Sequence, residues 1–159
     1  MIIFINGSIN SGKSTIAKLL AKELSNTVLI EIDVLREMIE WMPLEEAIPL
    51  NLENAVSLIR NFAKRNLNVV VPYPMSQKNY DYMMASLGDL GVMISVFTLA
   101  PKLEKVLTNR GTRELTDWER QRIQHHYDTV IHKPTFGEII DNTDQTPGET
   151  AKIILNKIK

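Results

Sequence analysis

The residues best suited to chemistry stand near the beginning of the chain, at residues 7–14, GSINSGKS. They fit the pattern G-x-x-x-x-G-K-[ST] at every fixed position. Glycine lets the backbone adopt angles that a Cβ atom forbids, so that successive N–H groups turn inward and form a nest for phosphate oxygens. The sequence therefore predicts a phosphate-binding loop made by Gly7, Ser8, Asn10, Ser11, Gly12, Lys13, Ser14 and Thr15.

Two side chains of this phosphate loop have tasks of their own. Lys13 can reach the β- and γ-phosphates of a nucleotide, and the hydroxyl of Ser14 can bind Mg²⁺. A helix beginning near Lys13 adds free N–H groups and the positive end of its dipole. The apolar strand at residues 2–5 and the helical pattern after the loop supply the context that the motif demands. The loop predicts binding of a nucleoside triphosphate and leaves open what the phosphate is used for.

Asp33 is the next candidate, at the end of a strand predicted over residues 27–32. Its carboxylate could accept a proton from a substrate hydroxyl, or hold Mg²⁺ directly or through water. It could equally cap the helix predicted over residues 34–41. Many phosphate-loop enzymes place a metal-binding aspartate after a neighbouring strand, but here residues 69–71 run into Pro72-Tyr73-Pro74. The missing acid argues against a motor-type ATPase and is compatible with a small kinase.

Arginines provide further candidates. Arg110 and Arg113 flank a glycine in a polar segment between two predicted helices. A mobile lid at about residues 110–117 could bring them over ATP to stabilise the transferred phosphoryl group, although a solvated charged turn is the alternative. Arg36 follows Asp33 by three residues and shares its helix face, so it could contact substrate or pair with neighbouring glutamates.

The penultimate helix carries the three histidines and two more arginines. The spacing of His125, His126 and His132 gives no compact metal site, so we expect histidines on a helix surface. Arg120 and Arg122 are expected on a solvated face, although either could point inward. The sequence alone gives these residues no defined role.

Composition limits the class of protein. The chain has 159 residues with 44% hydrophobic and 23% charged residues, which predicts one globular domain over residues 1–159. The net charge of -1 gives no basic field for nucleic acid or an anionic membrane, and the absence of cysteine excludes disulfides. No signal peptide or membrane-spanning stretch is recognisable. We expect a cytoplasmic protein, monomeric or homodimeric, without a nucleic-acid or membrane partner.

Strands alternate with helices along the chain. Strands are predicted at residues 2–5, 27–32, 67–71, 92–99 and 139–140. Helices are predicted at residues 13–25, 34–41, 51–66, 77–87, 101–109, 117–132 and from 147 onward, with residues 44–50 irregular. Such alternation predicts an α/β fold with a parallel sheet, in which ligands bind at the carboxyl ends of the strands.

The phosphate loop, the acid after the second strand and the arginine segment together resemble the small-molecule kinase branch of P-loop proteins, to which shikimate kinase and adenylate kinase belong. The opening MIIFINGSINSGKS is similar to that of the chloramphenicol phosphotransferase and tunicamycin-resistance group. Residues 69–114 are similar to the tunicamycin-resistance pattern of strand, proline, helix, strand and arginine lid. The tail IIDNTDQTPGETAKIIL resembles the closing strand and helix of the chloramphenicol enzymes.

This resemblance implies a three-layer sandwich with a five-stranded sheet of order 2-3-1-4-5. It implies that Asp33 activates a substrate hydroxyl, that Arg110 or Arg113 contacts the nucleotide, and that residues 142–145, beginning with Asn142, lie near the adenine. Residues 34–50 match no single member, so the resemblance does not identify the acceptor, of which an antibiotic is one possibility.

The leading hypothesis is an ATP-dependent and Mg²⁺-dependent phosphotransferase acting on a hydroxyl of a small molecule. Asp33, Lys13, Arg110 and Arg113 would be catalytic, Ser14 and Asp33 would hold the metal, and Asp33 and Arg36 would contact the acceptor. A non-catalytic ATP-binding resistance or regulatory protein is the first alternative, motivated by the missing acid. A nucleotide kinase is the second, and the short pocket segment makes it the poorer fit.

Overall fold

The computed structural model describes residues 1–108 and 114–158. The strands are β1 (Ile2–Gly7), β2 (Thr27–Leu29), β3 (Asn68–Pro72), β4 (Ile94–Leu99) and β5 (Glu138–Ile140). The helices are α1 (Lys13–Glu23), α2 (Ile32–Glu37), α3 (Leu44–Ala63), α4 (Gln77–Leu87), α5 (Leu103–Val106), α6 (Asp117–Asp128) and α7 (Pro147–Lys157). Arg110 and Arg113, with half of the predicted lid at residues 110–117, lie outside the described residues.

The strands form one parallel sheet in the order β2-β3-β1-β4-β5, which confirms the predicted α/β class and strand order. The first strand lies at the centre, pairing Ile3 with Val70 on one side and with Ser95 on the other. All six residues of β1 are buried, as expected for a central parallel strand covered on both faces. The phosphate loop therefore leaves the middle of the sheet.

Helices cover both faces of the sheet and make a three-layer sandwich. Alternate side chains of β1 enter different cores, because successive residues of a strand point to opposite faces. Phe4 packs with residues of α3 and α4, including Ile59 and Met83. Ile5 packs on the other face with residues of α1 and α7, including Leu20 and Ile154. The central strand and the helix after the loop are thus held by two separate cores.

The second strand is shorter than predicted, and this changes the setting of Asp33. The strand ends at Leu29, and α2 begins at Ile32, whose side chain is buried in the core. Glu31 occupies the N-cap position, so Asp33 is not the cap that its type allowed. It lies instead in the first turn of α2, where the positive end of the helix dipole favours a carboxylate.

The third helix begins earlier than predicted. Residues 44–50 are helical rather than irregular, and Asn51 is an interior residue rather than a cap. Pro49 is tolerated inside the helix, where its missing N–H removes one intrahelical hydrogen bond, because the buried stripe beyond it packs on the sheet. Even this 20-residue helix falls short of a membrane span, and so does every other helix of the described chain.

The helix before the predicted lid and the helix after it are both shorter than predicted. The fifth helix has only four residues, Leu103–Val106, rather than reaching residue 109. The sixth begins at its predicted capping box, where Thr116 accepts from the Glu119 N–H, but it ends at Asp128. Val130 then adopts φ 60°, which ends the helix and turns the chain toward β5.

Candidate functional site

A cleft of about 1220 Å³ opens at the carboxyl edge of the sheet, where β1 and β3 end. Its floor is the phosphate loop and the beginning of α1. Its walls come from α2 and α3 on one side, from Pro72-Tyr73-Pro74 below, and from α6 on the other side. The cleft therefore lies at the sheet edge where the rule for parallel sheets expects ligands, and residues predicted from separate parts of the sequence meet in one cavity.

The backbone of the phosphate loop adopts conformations that few side chains allow. Gly7 has φ 140° and Gly12, the N-cap of α1, has φ 98°. A Cβ atom on Gly7 would lie 2.7 Å from both the Leu99 carbonyl oxygen and Ser11 Oγ. Gly7 therefore requires glycine for lack of space as well as for its positive φ, and Gly12 requires it for its positive φ alone. Such a backbone is what the predicted phosphate nest needs.

The loop side chains expected to contact phosphate and metal face the cleft. Lys13, Ser14 and Thr15 all line it. Lys13 Nζ donates to the Ser8 carbonyl oxygen at 2.7 Å, which holds the ammonium over the loop. The hydroxyl of Ser14 and the carboxylate of Asp33 line the same cleft and are oxygen ligands of the kind that Mg²⁺ prefers. The donor set therefore fits this metal, although no cluster of three acidic or histidine ligands occurs among residues 1–108 and 114–158.

Two asparagines, Asn10 within the loop and Asn142 outside it, fasten the loop to the rest of the protein. The buried Ser11 Oγ has no partner among the described residues. Asn10, at φ 62°, donates through Nδ2 to the carbonyl oxygens of Val106 at 2.8 Å and Thr108 at 3.0 Å. Asn142 Nδ2 donates to the Ser11 carbonyl oxygen at 3.0 Å. Asn142 is 5% exposed and supports the loop through this hydrogen bond, and the adenine contact implied by the family resemblance stays a prediction.

Ser8 joins the loop to α6, a contact that the sequence did not predict. Ser8 Oγ lies 3.2 Å from His126 Nδ1, and both residues are buried. Burial, together with the positive charges of Arg122 and Lys13, lowers the pKa of His126 to about 4. The prediction of a surface histidine is therefore wrong for His126. The neutral ring is a fixed hydrogen-bonding partner of the phosphate loop.

Asp33 faces the cleft beside Tyr73. Asp33 is solvent-exposed and therefore accessible to a ligand, while Tyr73 is buried at the end of β3. Burial and then the negative charge of Asp33 raise the pKa of Tyr73 to about 12, with Arg122 acting in the opposite direction. The phenol therefore remains a hydrogen-bond donor at neutral pH, next to the carboxylate proposed to receive a proton.

Arg36 is held by the backbone rather than by an acid. Its guanidinium donates to the carbonyl oxygens of Ile39 at 2.6 Å, Glu40 at 3.2 Å and Met42 at 2.9 Å. It still lines the cleft. Its predicted pairing with neighbouring glutamates does not occur in the described residues. The guanidinium instead fixes the turn that follows α2.

Asn51 and Arg122 also line the cleft, and the sequence reading gave neither of them a place in the site. Asn51 is 4% exposed and its Oδ1 atom has no hydrogen-bond partner in the described protein, an arrangement that costs about 1–3 kcal/mol unless a ligand supplies one. Arg122 lies one helical turn before His126 on the same face of α6. Ile123 and His126 are buried on this side of α6. In the sequence, the apolar residue Ile123 was the signal that this side of the helix faces inward.

The family model for chloramphenicol phosphotransferase-like proteins matches residues 1–159. No curated protein matches the chain by sequence. Because the family match extends from the first residue to the last, the motif resemblance is confirmed over the whole chain. It supports phosphotransferase activity of the kinase type and a small-molecule substrate.

Solved structures of P-loop kinases and a resistance protein share this fold. The tunicamycin resistance protein of Deinococcus radiodurans is 20% identical, with 99% of this chain and 94% of that chain covered and a TM-score of 0.65. A sugar kinase from Janibacter sp. is 17% identical, with 99% and 93% covered and a TM-score of 0.77. Shikimate kinase from Aquifex aeolicus is 14% identical, with 99% and 96% covered and a TM-score of 0.61. These structures agree in fold with the family match, and the chain belongs to the chloramphenicol phosphotransferase-like family.

Proposed function

We propose that the protein transfers the γ-phosphoryl group of ATP to a hydroxyl group of a small molecule. The acceptor oxygen forms a bond to the γ-phosphorus while the bond from that phosphorus to the β–γ bridging oxygen breaks. The hydroxyl proton passes to the carboxylate of Asp33, and ADP leaves. The acceptor class includes antibiotics and metabolites.

The chain supplies positioning and electrostatic stabilisation, which are the main requirements of phosphoryl transfer. The N–H groups of the phosphate loop and the ammonium of Lys13 hold the phosphates, with Gly7 and Gly12 permitting the loop conformation. Arg110 or Arg113, outside the described residues, would neutralise charge on the transferred group. Ser14 and Asp33 would hold Mg²⁺, which supplies further charge neutralisation on the phosphate oxygens when it is bound.

One observation carries the proposal: Asp33 and the phosphate loop line the same cleft. A carboxylate that serves only as a helix cap would not need to face this cavity. Here it is exposed toward the space next to Lys13 and Ser14, and it has the neighbouring phenol of Tyr73 as a second polar group. The arrangement suits a base acting on a hydroxyl beside a terminal phosphate.

Incubation of the purified protein with ATP, Mg²⁺ and a panel of hydroxyl compounds tests this function. We expect mass spectrometry to detect an acceptor heavier by one phosphoryl group, together with ADP. Phosphorylation of a nucleoside monophosphate instead would indicate a nucleotide kinase. Stabilisation by ATP without any product across the panel would favour the non-catalytic binding protein that the missing acid after β3 suggests.

A further inference from the structure

A second cavity opens from the cleft beneath α6. It has a volume of about 640 Å³ and lies between the beginning of α4, the second half of α6 and residues 129–136. We call it the side pocket. Both cavities are lined by Ile48, Tyr73, Pro74, Arg122 and His126. An acceptor whose hydroxyl lies beside Asp33 can therefore extend past Tyr73 into the side pocket.

The two cavities differ in charge. The carboxylates that line the cleft are Asp33, Glu37, Glu40 and Glu119. No aspartate or glutamate is found among the described residues that line the side pocket, where the charged groups are Arg122 and Lys133. His125 and His126 complete its titratable groups apart from Tyr73. A concave surface whose charged groups are all positive attracts anions.

Arg122 differs from the other arginines that the structure describes. Those arginines donate hydrogen bonds, Arg36 to carbonyl groups, Arg60 to Asp89, Arg65 to Asn61 and Arg120 to Leu107. Arg122 is half-buried, yet it has no hydrogen-bond or ion-pair partner within residues 1–108 and 114–158. A partly desolvated guanidinium without a counter-charge is unfavourable, so its position at the junction calls for an anion from outside the described protein.

Tyr73 and Arg122 line both cavities, and Asp33 lines the cleft. Burial raises the pKa of Tyr73 to about 12, with the negative charge of Asp33 acting in the same direction and the positive charge of Arg122 in the opposite one. The phenol stays protonated at neutral pH and can donate to a ligand oxygen.

We propose that the acceptor carries an anionic group, a carboxylate or a phosphate ester, which Arg122 binds at the entrance of the side pocket while the hydroxyl faces Asp33. This substrate class rests on the proposed phosphotransfer. The site itself, an anion site at Arg122, does not. The acceptor is therefore a small hydroxy acid or a phosphorylated alcohol rather than a neutral polyol.

Crystals grown with ADP, so that the phosphate loop is filled, test the anion site without any turnover. After a soak in tungstate we expect an anomalous peak between Arg122 and the side pocket, and no such peak in crystals of Arg122→Gln. An empty side pocket in the wild-type protein, with ADP in place, would overturn the proposal. A peak that persists in Arg122→Gln would also overturn it.

Matched acceptors test the substrate class. Glycerate and glycerol 3-phosphate are compared with glycerol, and gluconate with sorbitol, each with ATP and Mg²⁺. We expect product from charged members only, and the carboxylate and phosphate members show which anion is preferred. Arg122→Gln should lower kcat/KM for the charged acceptor about tenfold or more, mainly through KM, which corresponds to the loss of one charge-assisted hydrogen bond.

Arg65→Gln is the matched control, because it removes one positive charge from an exposed arginine that donates to Asn61 and lines neither cavity. It should leave kcat/KM unchanged. Equal loss in both variants, or phosphorylation of the neutral members alone, would overturn the proposed substrate class. If tungstate occupies the side pocket and no acceptor of either kind is phosphorylated, the anion site stands and the proposed phosphotransfer fails.

Discussion

The two ends of the cleft are built in different ways. At the nucleotide end, three side chains anchor the phosphate loop: Asn10 and Asn142 donate to backbone carbonyl groups, and Ser8 Oγ contacts His126 Nδ1. Two atoms at this end, Ser11 Oγ and Asn142 Oδ1, have no partner among the described residues. At the acceptor end, the amide oxygen of Asn51 and the guanidinium of Arg122 lack partners among the residues that the structure describes. The loop at one end is thus anchored to its neighbours without a ligand, whereas the guanidinium of Arg122 at the other end is not anchored.

This difference corresponds to two tasks, binding of triphosphate, which is common to all acceptors, and recognition of one particular acceptor. Holding triphosphate needs a fixed array of N–H groups, and pre-organisation of that array avoids reorganisation during the reaction. Recognition of one acceptor needs polar groups that only this ligand satisfies, because unpaired buried groups penalise compounds that lack the matching atom. Substitutions at the nucleotide end should therefore reduce activity toward every acceptor, and those at the acceptor end should change which acceptor is used.

The largest effect is expected for Lys13→Ala. Removal of the ammonium that lies over the loop should lower kcat/KM about a thousandfold for any acceptor, because it takes away a charge aimed at the phosphates. Steady-state kinetics with ATP varied measures this loss. Lys22→Ala, an exposed lysine in the last turn of the same helix, should behave as wild type. Comparable activity of Lys13→Ala and Lys22→Ala would remove Lys13 from the site.

The next effect is expected for Asp33→Asn. The amide cannot accept the acceptor proton, so kcat should fall about a hundredfold or more, whereas the affinity for ATP should stay within a factor of about three. Calorimetric titration with a non-hydrolysable ATP analogue measures the affinity, and the product assay measures kcat. If the variant turns over at the wild-type rate, Asp33 is not the base, and the acceptor end then contains no residue with a catalytic role.

A smaller effect, about threefold to tenfold on the KM of the acceptor, is expected for Arg36→Gln. The guanidinium fixes the turn after α2 through the carbonyl groups of Ile39, Glu40 and Met42, and hydrogen bonds from a charged group contribute about 1.5–3 kcal/mol. The KM for ATP should not change, because the contacts lie at the acceptor end. An increase of both KM values by the same factor would show that this turn also supports the nucleotide site.

The same difference explains what the sequence could predict. The nucleotide end depends on backbone geometry and on a fixed spacing of residues 7–14, so the loop, the central strand and the parallel sheet followed from the sequence. The acceptor end depends on helix boundaries and burial. Residues 44–50 were predicted as irregular although they are helical, and the inward position of His126 and Arg122 could not be separated from a solvated face by spacing alone. Tertiary packing, rather than local preference, decides those positions.

The smallest effect concerns the free energy of unfolding and the contact of Ser8 with His126, which joins the phosphate loop to α6. The pKa of His126 is about 4 in the folded protein, below the value of 6.5 expected when the chain is unfolded. As pH falls from 6.5 toward 4, the unfolded chain therefore takes up a proton that the folded protein does not, and the melting temperature should fall over this range. His132, whose pKa burial also lowers, adds to the slope in the same direction. Each kcal/mol lost corresponds to about 2–4 °C for a domain of this size.

Calorimetric melting curves at several pH values, compared for wild type and two variants, isolate this contribution. His126→Gln should flatten the decline between pH 6.5 and 4, because the variant side chain does not titrate there. Ser8→Ala should lower the melting temperature at every pH and keep the slope, because it removes the hydrogen bond and leaves the buried imidazole in place. A decline in His126→Gln as steep as in wild type would show that the imidazole titrates normally, and that α6 is joined to the phosphate loop by a solvated contact instead of a buried one.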